Sequence, residues 1–212
     1  MYFQETEKSK FTEKQQDSGL RYQLINDIKI NFTHNDFIQV NQQVNIAMVQ
    51  QAINWLAPDN NDNILDLFCG LGNFSLPLAQ KANSVVGVEG VQTMVDKATV
   101  NAELNNIDNC HFFQADLNSE WNLITTPNKK SNQWIQKKFN KVLLDPARAG
   151  AQIAIEQVVQ LDIPTILYVS CEPSTLARDS QILLSKGYEI VKIGLIDMFS
   201  HTKHVETMVL FR

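Results

Sequence analysis

The sequence is poor in cysteine and has no excess of positive charge. Its 212 residues include three cysteines, at positions 69, 110 and 171, and no CxxC pair. These thiols alone cannot build a zinc site or an iron–sulfur cluster, because both need more ligands at close spacing. The 18 basic residues are outnumbered by 23 acidic ones, for a net charge of −5. This balance excludes a protein that holds nucleic acid by bulk electrostatic attraction, so any contact with RNA must be local.

Long apolar runs are also missing from the sequence. No stretch approaches the roughly 20 apolar residues that span a bilayer, and we see no signal peptide. An odd number of cysteines in such a chain is typical of a reducing compartment. We therefore expect a cytoplasmic protein without a membrane partner. With 44% apolar residues, the chain can build one sizeable core.

The first part of the chain differs in pattern from the rest. Residues 1–19 are polar, and we expect them to be disordered and to add little to a core. Residues 20–41 carry short alternating segments separated by Asn26 and Asp27, which predicts a small antiparallel β-hairpin and a third short strand over 37–40. A helix over 42–56 then opens the main domain, which we assign to residues 42–212.

From residue 63 onward, apolar strand patterns alternate with helical patterns. The predicted strands are 63–68, 84–89, 110–115, 141–145, 165–170, 188–196 and 204–211, with helices near 74–81, 91–105, 152–160 and 174–186. Such alternation predicts an α/β fold with a mostly parallel sheet. The last connection is too short for a crossover helix, so we expect the final strand to be antiparallel. Residues 119–139 show little periodicity and are predicted to form an exposed inserted loop.

A strand, a glycine turn and a helix start follow one another in the stretch DLFCGLGNFS. Gly70 and Gly72 let the backbone approach a ligand, and the helix start offers free N–H donors. Position 75 is Ser75, where a dinucleotide fingerprint carries a third glycine, and this disfavours a nicotinamide cofactor. Glu89 ends the next strand and can accept both hydroxyls of a ribose. The alternative is a tight turn beside a solvated acid.

Two further strand ends carry polar residues. Asp116 follows the third strand, where it can contact an adenine or cap a helix, and the pattern does not choose between these. Asp145 and Arg148 follow the fourth strand in the stretch LLDPAR. Asp145 can bind a cofactor or a base, and Arg148 can meet an RNA phosphate. Their alternative is a mutual surface salt bridge.

Cys171 is the most informative residue because it stands between the apolar strand ILYVS and Pro173. Proline suits the first turn of a helix, and a helix dipole stabilises a thiolate at its N-terminus. We therefore predict a reactive thiol at the sheet edge where α/β folds bind ligands. By contrast, Cys69 and Cys110 are expected to be small buried apolar residues.

The final strand places His204, Glu206 and Met208 on one face. An ionisable Glu206 that opens an otherwise apolar strand indicates a function. His201 and His204 have a spacing that suggests a metal, but no third ligand lies near them, so we expect no metal site.

The motifs DLFCGLGNF, GVEG, LLDPARAG, YVSCEPSTLARD and HVETMVLF, in this order and spacing, resemble the RNA uracil-C5 methyltransferases. The resemblance runs from about Leu20 to Arg212 and is strongest to the bacterial branch that methylates 23S ribosomal RNA. It implies a Rossmann-like, class I S-adenosylmethionine-dependent methyltransferase with a seven-stranded sheet. It also implies a ribosomal RNA substrate, and we expect the chain to be a monomer.

Transferred position by position, the resemblance implies that Cys171 is the nucleophile and Glu206 the proton-abstracting base. The cofactor residues that it implies are Gln39, Phe68, Asn73, Glu89, Asp116 and Asp145. Full-length members carry a TRAM-type RNA-binding β-barrel and a cysteine-rich segment that ligates a 4Fe–4S cluster. Neither is present in this sequence, so the cluster is expected only in an N-terminal part outside it, and residues 20–41 are interpreted as a remnant of a connecting β-domain.

The implied reaction begins with addition of a thiolate to C6 of uracil, which makes C5 electron-rich. A base then removes the C5 proton. Three alternatives stay open at this point. DPAR lies where an amino-methyltransferase has a DPPY-like tetrad, the chain can be an RNA-binding fragment without activity, and a nicotinamide oxidoreductase is the least favoured.

Overall fold

The computed structural model describes residues 19–121, 134–198 and 205–212. An N-terminal hairpin made of β1 (Arg21–Gln23) and β2 (Lys29–Asn31) comes first. The other strands are β3 (Asn63–Leu67), β4 (Ser84–Glu89), β5 (Cys110–Gln114), β6 (Lys141–Leu144), β7 (Thr165–Ser170), β8 (Ile190–Ile196) and β9 (Glu206–Phe211). The helices are α1 (Gln42–Leu56), α2 (Ser75–Ala79), α3 (Gln92–Leu104), α4 (Gln152–Gln160) and α5 (Pro173–Ser185).

Strands β3 to β9 form one seven-stranded sheet in the order β5-β4-β3-β6-β7-β9-β8. The pairs among β3 to β7 are parallel, whereas β9 is antiparallel to both of its neighbours. The predicted α/β fold with an antiparallel last strand is therefore confirmed. The strand order reverses between β3 and β6, and open α/β sheets bind ligands at the carboxyl end of such a switch point.

Apolar residues cover both faces of the sheet, as the continuous apolar runs predict. Strand β7 illustrates the alternation. Leu167 and Val169 pack in one cluster with Met48 of α1, whereas Ile166 and Tyr168 pack on the other face in a cluster with residues of α4 and α5. The sheet is thus a buried central layer, and its polar residues collect at the strand ends.

The predicted N-terminal hairpin is present, with Tyr22 opposite Ile30. Its turn uses Asn26 and Asp27 at positive φ (52° and 61°), a conformation that these two residue types tolerate. Ile30 and two other hairpin residues lie in the same apolar cluster as α1. The third strand predicted over 37–40 is wrong, because the structure has no ladder pairing there. Apolar side chains of that segment line a cleft instead.

The prediction of an exposed inserted loop over residues 119–139 is wrong near both ends of that range. Trp121 and Trp134 are only 4% and 1% exposed, and their rings pack edge to face at 5.2 Å. Large aromatic side chains gain too much from burial to stay in solvent, and they fix both flanks of the insertion to the core. Residues 122–133, and the predicted lead-in before Gly19, lie outside the described residues. None of the described helices is long and apolar enough to cross a membrane.

Candidate active site

A cleft of about 930 Å³ opens at the carboxyl edge of the sheet. Nine of the eleven site residues predicted from the sequence line it: Gln39, Phe68, Gly70, Asn73, Glu89, Asp145, Arg148, Cys171 and Glu206. Gly72 and Asp116 are not among its lining residues. The cleft therefore gathers residues from the hairpin connection, the glycine turn and the ends of five strands.

Three acidic groups in the cleft come from adjacent strands. Cys171 follows the last residue of β7, and Ser170 of that strand pairs with Thr207 of β9. In an antiparallel ladder, the next position along β7 lies beside Glu206, since one chain advances while the other recedes. Asp145 follows β6, the neighbour of β7 on its other side. The thiol and two carboxyls thus converge on one end of the strands β6, β7 and β9.

These groups lack the usual stabilisation of their charged forms. Burial raises the pKa of Glu206, and burial together with the charges of Glu206 and Asp66 raises that of Asp145 well above its ordinary value. In the part of the chain that the structure describes, neither carboxyl has a hydrogen-bond partner. The site therefore holds weakly acidic carboxyls at its centre, as functional sites often do.

The predicted stabilisation of the Cys171 thiolate by a helix is wrong for this structure. Burial, followed by the charges of Glu206 and Asp145, raises the pKa of the half-buried thiol. Helix α5 is capped by the Glu172 carboxylate, which accepts hydrogen bonds from the Ser174 N–H at 3.3 Å and from the Ser174 hydroxyl at 2.8 Å. This acid already occupies the helix N-terminus, and burial together with two carboxyls raises the pKa of the thiol.

The glycine turn after β3 is held to the start of α3 by Glu89. Its carboxylate accepts a hydrogen bond from the N–H of Gly70 at 3.2 Å and another from that of Val91 at 3.1 Å. Gly70 has φ +54°, and among the described residues a Cβ added there would meet only Met94, at 3.9 Å. Such a side chain would stand in the cleft, so glycine keeps this space open for a ligand.

Gly72 has a different reason to be glycine. A Cβ at this position would approach Leu76 to 3.1 Å and Phe112 to 3.3 Å. Packing and its φ of +91° therefore account for the glycine at this position, and the contact of Gly72 with a ligand stays a prediction. Phe68 also has a positive φ, 63°. That conformation is strained for a side chain of this size, and it sits where β3 turns into the cleft wall.

Asn73 is placed by the hairpin and by α1. Its Oδ1 accepts hydrogen bonds from the Tyr22 hydroxyl at 3.1 Å and from Asn45 Nδ2 at 2.9 Å, and its own Nδ2 donates to Asn45 Oδ1 at 3.0 Å. This leaves one amide N–H of Asn73 for a ligand. Tyr22 and Asn45 were missed by the sequence argument, because they lie 51 and 28 residues away along the chain.

Residues 33–40 form a segment over the cleft that is tethered to α3. Lys97 Nζ lies 2.6 Å from Asp36 Oδ1 and also donates to Thr33 Oγ1 at 2.9 Å. Within the described residues, the buried Oε1 of Gln39 in this segment has no hydrogen-bond partner. A buried acceptor without a donor is costly, so this oxygen is a candidate to accept a hydrogen bond from a ligand. No local signal reveals Asp36 and Lys97, since 61 residues separate them.

Asp116 and Arg148 are two predicted site residues with different surroundings. Asp116 is exposed and accepts a hydrogen bond from the N–H of Asn118 at 2.9 Å, so it caps a turn after β5. Arg148 is exposed at the cleft. Among the ion pairs of the described residues, none joins Arg148 to Asp145, so the structure does not support the alternative of a mutual salt bridge.

The remaining cysteines are buried, as predicted. Cys69 and Cys110 are 5% and 6% exposed, and burial is the main cause that raises the pKa of each thiol. Beneath the turn, the Ser75 hydroxyl donates to the fully buried carboxyl of Asp66. Burial raises the pKa of Asp66 to about 7. The Ser75 hydroxyl thus pairs with a buried acid behind the turn, a hydrogen bond that a third glycine could not make.

Within the described residues, no group of three or more His, Cys, Asp and Glu side chains is arranged to hold a metal ion. His201 and His204, the pair considered in the sequence, lie outside the described residues.

Comparison with known proteins agrees with this geometry. A family described as tRNA (Uracil-5-)-methyltransferase matches residues 8–212. A protein of Colwellia psychrerythraea named 23S rRNA (uracil(1939)-C(5))-methyltransferase RlmD is 61% identical over 193 residues, which are 91% of this chain and 39% of that protein. A Photobacterium angustum protein of the same name is 52% identical over 90% of this chain and 83% of its own length. The chain spans about two fifths of the Colwellia relative.

A solved structure is similar as well. The Pyrococcus abyssi tRNA (uracil-54, C5)-methyltransferase, in complex with S-adenosyl-L-homocysteine, is 28% identical with a TM-score of 0.74. The similarity covers 91% of this chain and 44% of that one. The match along nearly the whole sequence and the shared fold lead to one conclusion: the chain belongs to the tRNA (uracil-5-)-methyltransferase family.

Proposed function

We propose that the chain is the catalytic part of an enzyme that methylates C5 of a uridine in 23S ribosomal RNA, with S-adenosylmethionine as the methyl donor. The observation that carries the proposal is the position of Cys171 beside Glu206 across β7 and β9, in the cleft that Asp145 also lines. The names of the relatives from Colwellia and Photobacterium support 23S ribosomal RNA as the substrate.

Two features of the cleft fit S-adenosylmethionine. The unpartnered Oε1 of Gln39 suits the donors of an amino group, and the space beside Gly70 admits a ligand close to the backbone. We propose that the residues that bind the cofactor are Gln39, Phe68, Gly70, Asn73, Glu89 and Asp145. Gly72 acts through packing, and Asp116 stays a prediction. When bound, S-adenosylmethionine supplies an electrophilic methyl group to a carbon nucleophile.

Cys171 supplies the activation that uracil needs. Its thiolate forms a bond to C6, and the electron pair of the C5–C6 double bond moves into an enolate that leaves C5 electron-rich. Because its pKa is raised, the thiol is protonated near neutral pH and must first lose a proton. We propose that solvent takes this proton, since Glu206 has to stay ionised for the later step.

Glu206 completes the reaction. After methylation, C5 carries both the new methyl group and its original hydrogen. The Glu206 carboxylate removes that hydrogen as a proton, the electron pair restores the C5–C6 double bond, and the bond to the Cys171 sulfur breaks. A raised pKa makes the Glu206 carboxylate a stronger base than an exposed one, which suits this role.

RNA contact is proposed to be local to the cleft mouth, where the exposed Arg148 can pair with a phosphate. The target uridine has to lie in a loop or flip out of its stack, because C5 and C6 cannot be reached inside a helix. All proposed residues come from one chain, so we propose a monomer. An enzyme that modifies ribosomal RNA in a bacterium acts in the cytoplasm, and we propose this location.

The proposal is tested with a short RNA hairpin that carries a uridine in its loop. After incubation with the chain and S-adenosylmethionine, nucleosides are separated and weighed by mass spectrometry. We expect 5-methyluridine as the product. A methyl group on an exocyclic amine would instead support the amino-methyltransferase alternative, and cofactor binding without any product would support an inactive RNA-binding fragment.

A further inference from the structure

Helix α5 holds the backbone of the segment 145–151, which we call the Arg148 loop. Thr175 Oγ1 donates a hydrogen bond to the carbonyl of Arg148 at 3.1 Å, and Arg178 Nη2 donates to the carbonyl of Ala149 at 2.9 Å. The N–H of Ala151 donates to Asp179 Oδ2 at 2.7 Å. Three side chains of one helix thus hold three backbone groups of a loop that lines the cleft.

Asp179 is the centre of these contacts. It is fully buried in α5, where an unpaired carboxylate would be strongly unfavourable. Its Oδ2 also accepts the Tyr168 hydroxyl at 2.7 Å, and its Oδ1 lies 2.7 Å from Arg178 Nη2. The carboxylate therefore fixes Arg178, which holds Ala149, and at the same time binds the loop directly through Ala151.

Gly150 shows how closely the loop and helix fit. A Cβ added at this position would lie 2.6 Å from Arg178 Nη2, 2.6 Å from Asp179 Oδ2 and 2.9 Å from Thr175 Cβ. The loop backbone therefore rests directly on these three side chains.

We propose that Asp179 is a positioning residue that holds Arg148 at the cleft mouth in the orientation that meets an RNA phosphate. The inference rests on the proposed function, in which Arg148 contacts RNA. Asp179 acts through the loop backbone and through Arg178, and it touches neither the RNA nor the cofactor.

The two ends of the Arg148 loop are held separately, which gives the proposal a specific signature. Asp145 is fixed by the sheet, because its N–H donates to the carbonyl of Leu67 in β3 at 3.3 Å. Residues 148–151 are fixed by α5. Loss of Asp179 should therefore disturb Arg148 and RNA binding while Asp145 and cofactor binding stay in place.

The test compares Asp179→Asn with Asp62→Asn. The asparagine amide would keep the shape of the Asp179 side chain but has one acceptor oxygen, so it could not accept hydrogen bonds both from Arg178 and from the Ala151 N–H. Asp62 is a matched control, since it too is buried and bound by a cation, Lys141, but it lies at the opposite edge of the sheet. We expect Asp179→Asn to raise KM for the hairpin RNA about tenfold, as loss of a positioned phosphate contact does, with kcat and the Kd for S-adenosylmethionine within about twofold. Asp62→Asn should leave KM unchanged.

A second variant and a double mutant distinguish a specific effect on RNA binding from simple loss of folding. Thr175→Val removes the bond to the Arg148 carbonyl without leaving a buried charge, and it should raise KM for RNA by about threefold. In an Arg148→Ala background, Asp179→Asn should have no further effect on KM, because coupled residues are not additive. Additive effects, or an unchanged KM in both Asp179→Asn and Thr175→Val, would overturn the inference.

A substrate-free measurement separates this inference from the proposed function. In Asp179→Asn, hydrogen exchange at the Gly150 and Ala151 amides should be about tenfold faster than in wild type, whereas Asp62→Asn leaves it unchanged. If the wild-type chain neither binds nor methylates the RNA, the proposed function fails. Unchanged exchange at these two amides would then overturn the anchoring role of Asp179 independently.

Discussion

Buried carboxyls have opposite surroundings at the two edges of the central sheet, which are formed by the amino ends and by the carboxyl ends of its parallel strands. At the amino edge, Asp62 accepts hydrogen bonds from Lys141 Nζ at 2.5 Å, from Asn140 Nδ2 at 2.5 Å and from the N–H of Asp59 at 2.7 Å. Although burial alone would raise the pKa of Asp62, these partners hold it below its ordinary value. At the carboxyl edge, the pKa values of Asp145 and Glu206 are both raised.

This difference distinguishes a carboxyl that stabilises the fold from carboxyls that are available for chemistry in the same sheet. A buried charge that serves only the fold is given partners, because an unpaired one is costly. At the carboxyl edge, burial raises the pKa of all three groups, the charge of Glu206 also opposes the ionisation of Asp145, and both carboxyls oppose that of the Cys171 thiol. Perturbed groups of this kind collect at functional sites. The amino edge therefore provides controls for every experiment at the carboxyl edge.

Cys171→Ala should produce the largest effect of any single change. Without the sulfur there is no addition to C6, so we expect methylation to fall by at least about 10⁴-fold. The Kd for S-adenosylmethionine, measured by titration calorimetry, should change less than about threefold, since the thiol is not proposed to bind the cofactor. Cys110→Ala, in the core and away from the cleft, should keep its activity. Retained turnover in Cys171→Ala would remove the covalent proposal.

Glu206→Gln should have the second-largest effect on turnover, and it should block a different step of the reaction. Addition and methyl transfer still take place, but the C5 proton cannot leave, so turnover should fall by about 10² to 10⁴-fold. The stalled intermediate joins protein to RNA and should appear as a slower band on a denaturing gel. Asp62→Asn should show neither effect. A Glu206→Gln protein with wild-type turnover and no adduct would mean that another group is the base.

Neutralising one acid at each edge should change stability in opposite directions. Asp62 has a lowered pKa, so it stabilises the fold above its unfolded pKa and loses this effect as pH falls through the folded value. Asp145 has a raised pKa, so its stabilising, protonated form is lost as pH rises. At pH 7, we expect Asp62→Asn to reduce the free energy of unfolding by about 2 kcal/mol and Asp145→Asn to increase it by about 1 kcal/mol.

Urea unfolding at pH 7 and at about pH 4 measures the sign of the change in the free energy of unfolding for each variant. The difference between each variant and the wild type should shrink near the unfolded pKa of aspartate. If both variants are destabilised equally at pH 7, the contrast between the two edges is wrong.

The smallest expected effect concerns the Cys171 thiol. Its rate of alkylation by iodoacetamide, followed by peptide mass spectrometry across pH, gives its apparent pKa. We expect a value above that of an ordinary thiol in the wild type. Glu206→Gln removes a negative neighbour and should lower the value. Asp62→Asn should leave it unchanged, and an equal shift in both variants would show that the effect is not local.

The sequence predicted most of the fold, since the elements that it identified are strongly periodic. Strands β4 and β7 and helix α4 begin and end where the pattern indicates, because apolar runs and turn residues mark them locally. The strand predicted over 37–40 failed, as alternation also arises where a segment lines a cleft. The burial of Trp121 and Trp134 was missed because these two rings pack against each other and the core from opposite ends of an insertion.

The candidate site was predictable where residues stand at strand ends. Cys171, Glu206, Asp145 and Glu89 each terminate or open a strand, and a parallel sheet brings such ends together. The raised pKa of the thiol was not predictable, because it depends on burial and on carboxyls next to β6 and in β9 that approach only in the fold.

The central claim is that the Cys171 sulfur and the Glu206 carboxyl act on one uracil ring. The most direct test uses the same RNA hairpin with 5-fluorouridine at the target position, incubated with the wild-type chain and S-adenosylmethionine. Glu206 cannot remove fluorine as it removes a proton, so we expect a stable adduct with the mass of protein, RNA and one methyl group, mapped by digestion to the peptide that contains Cys171. Methylation of the unmodified RNA by the same chain without any adduct on the fluorinated one, or an adduct on Cys69, would contradict it.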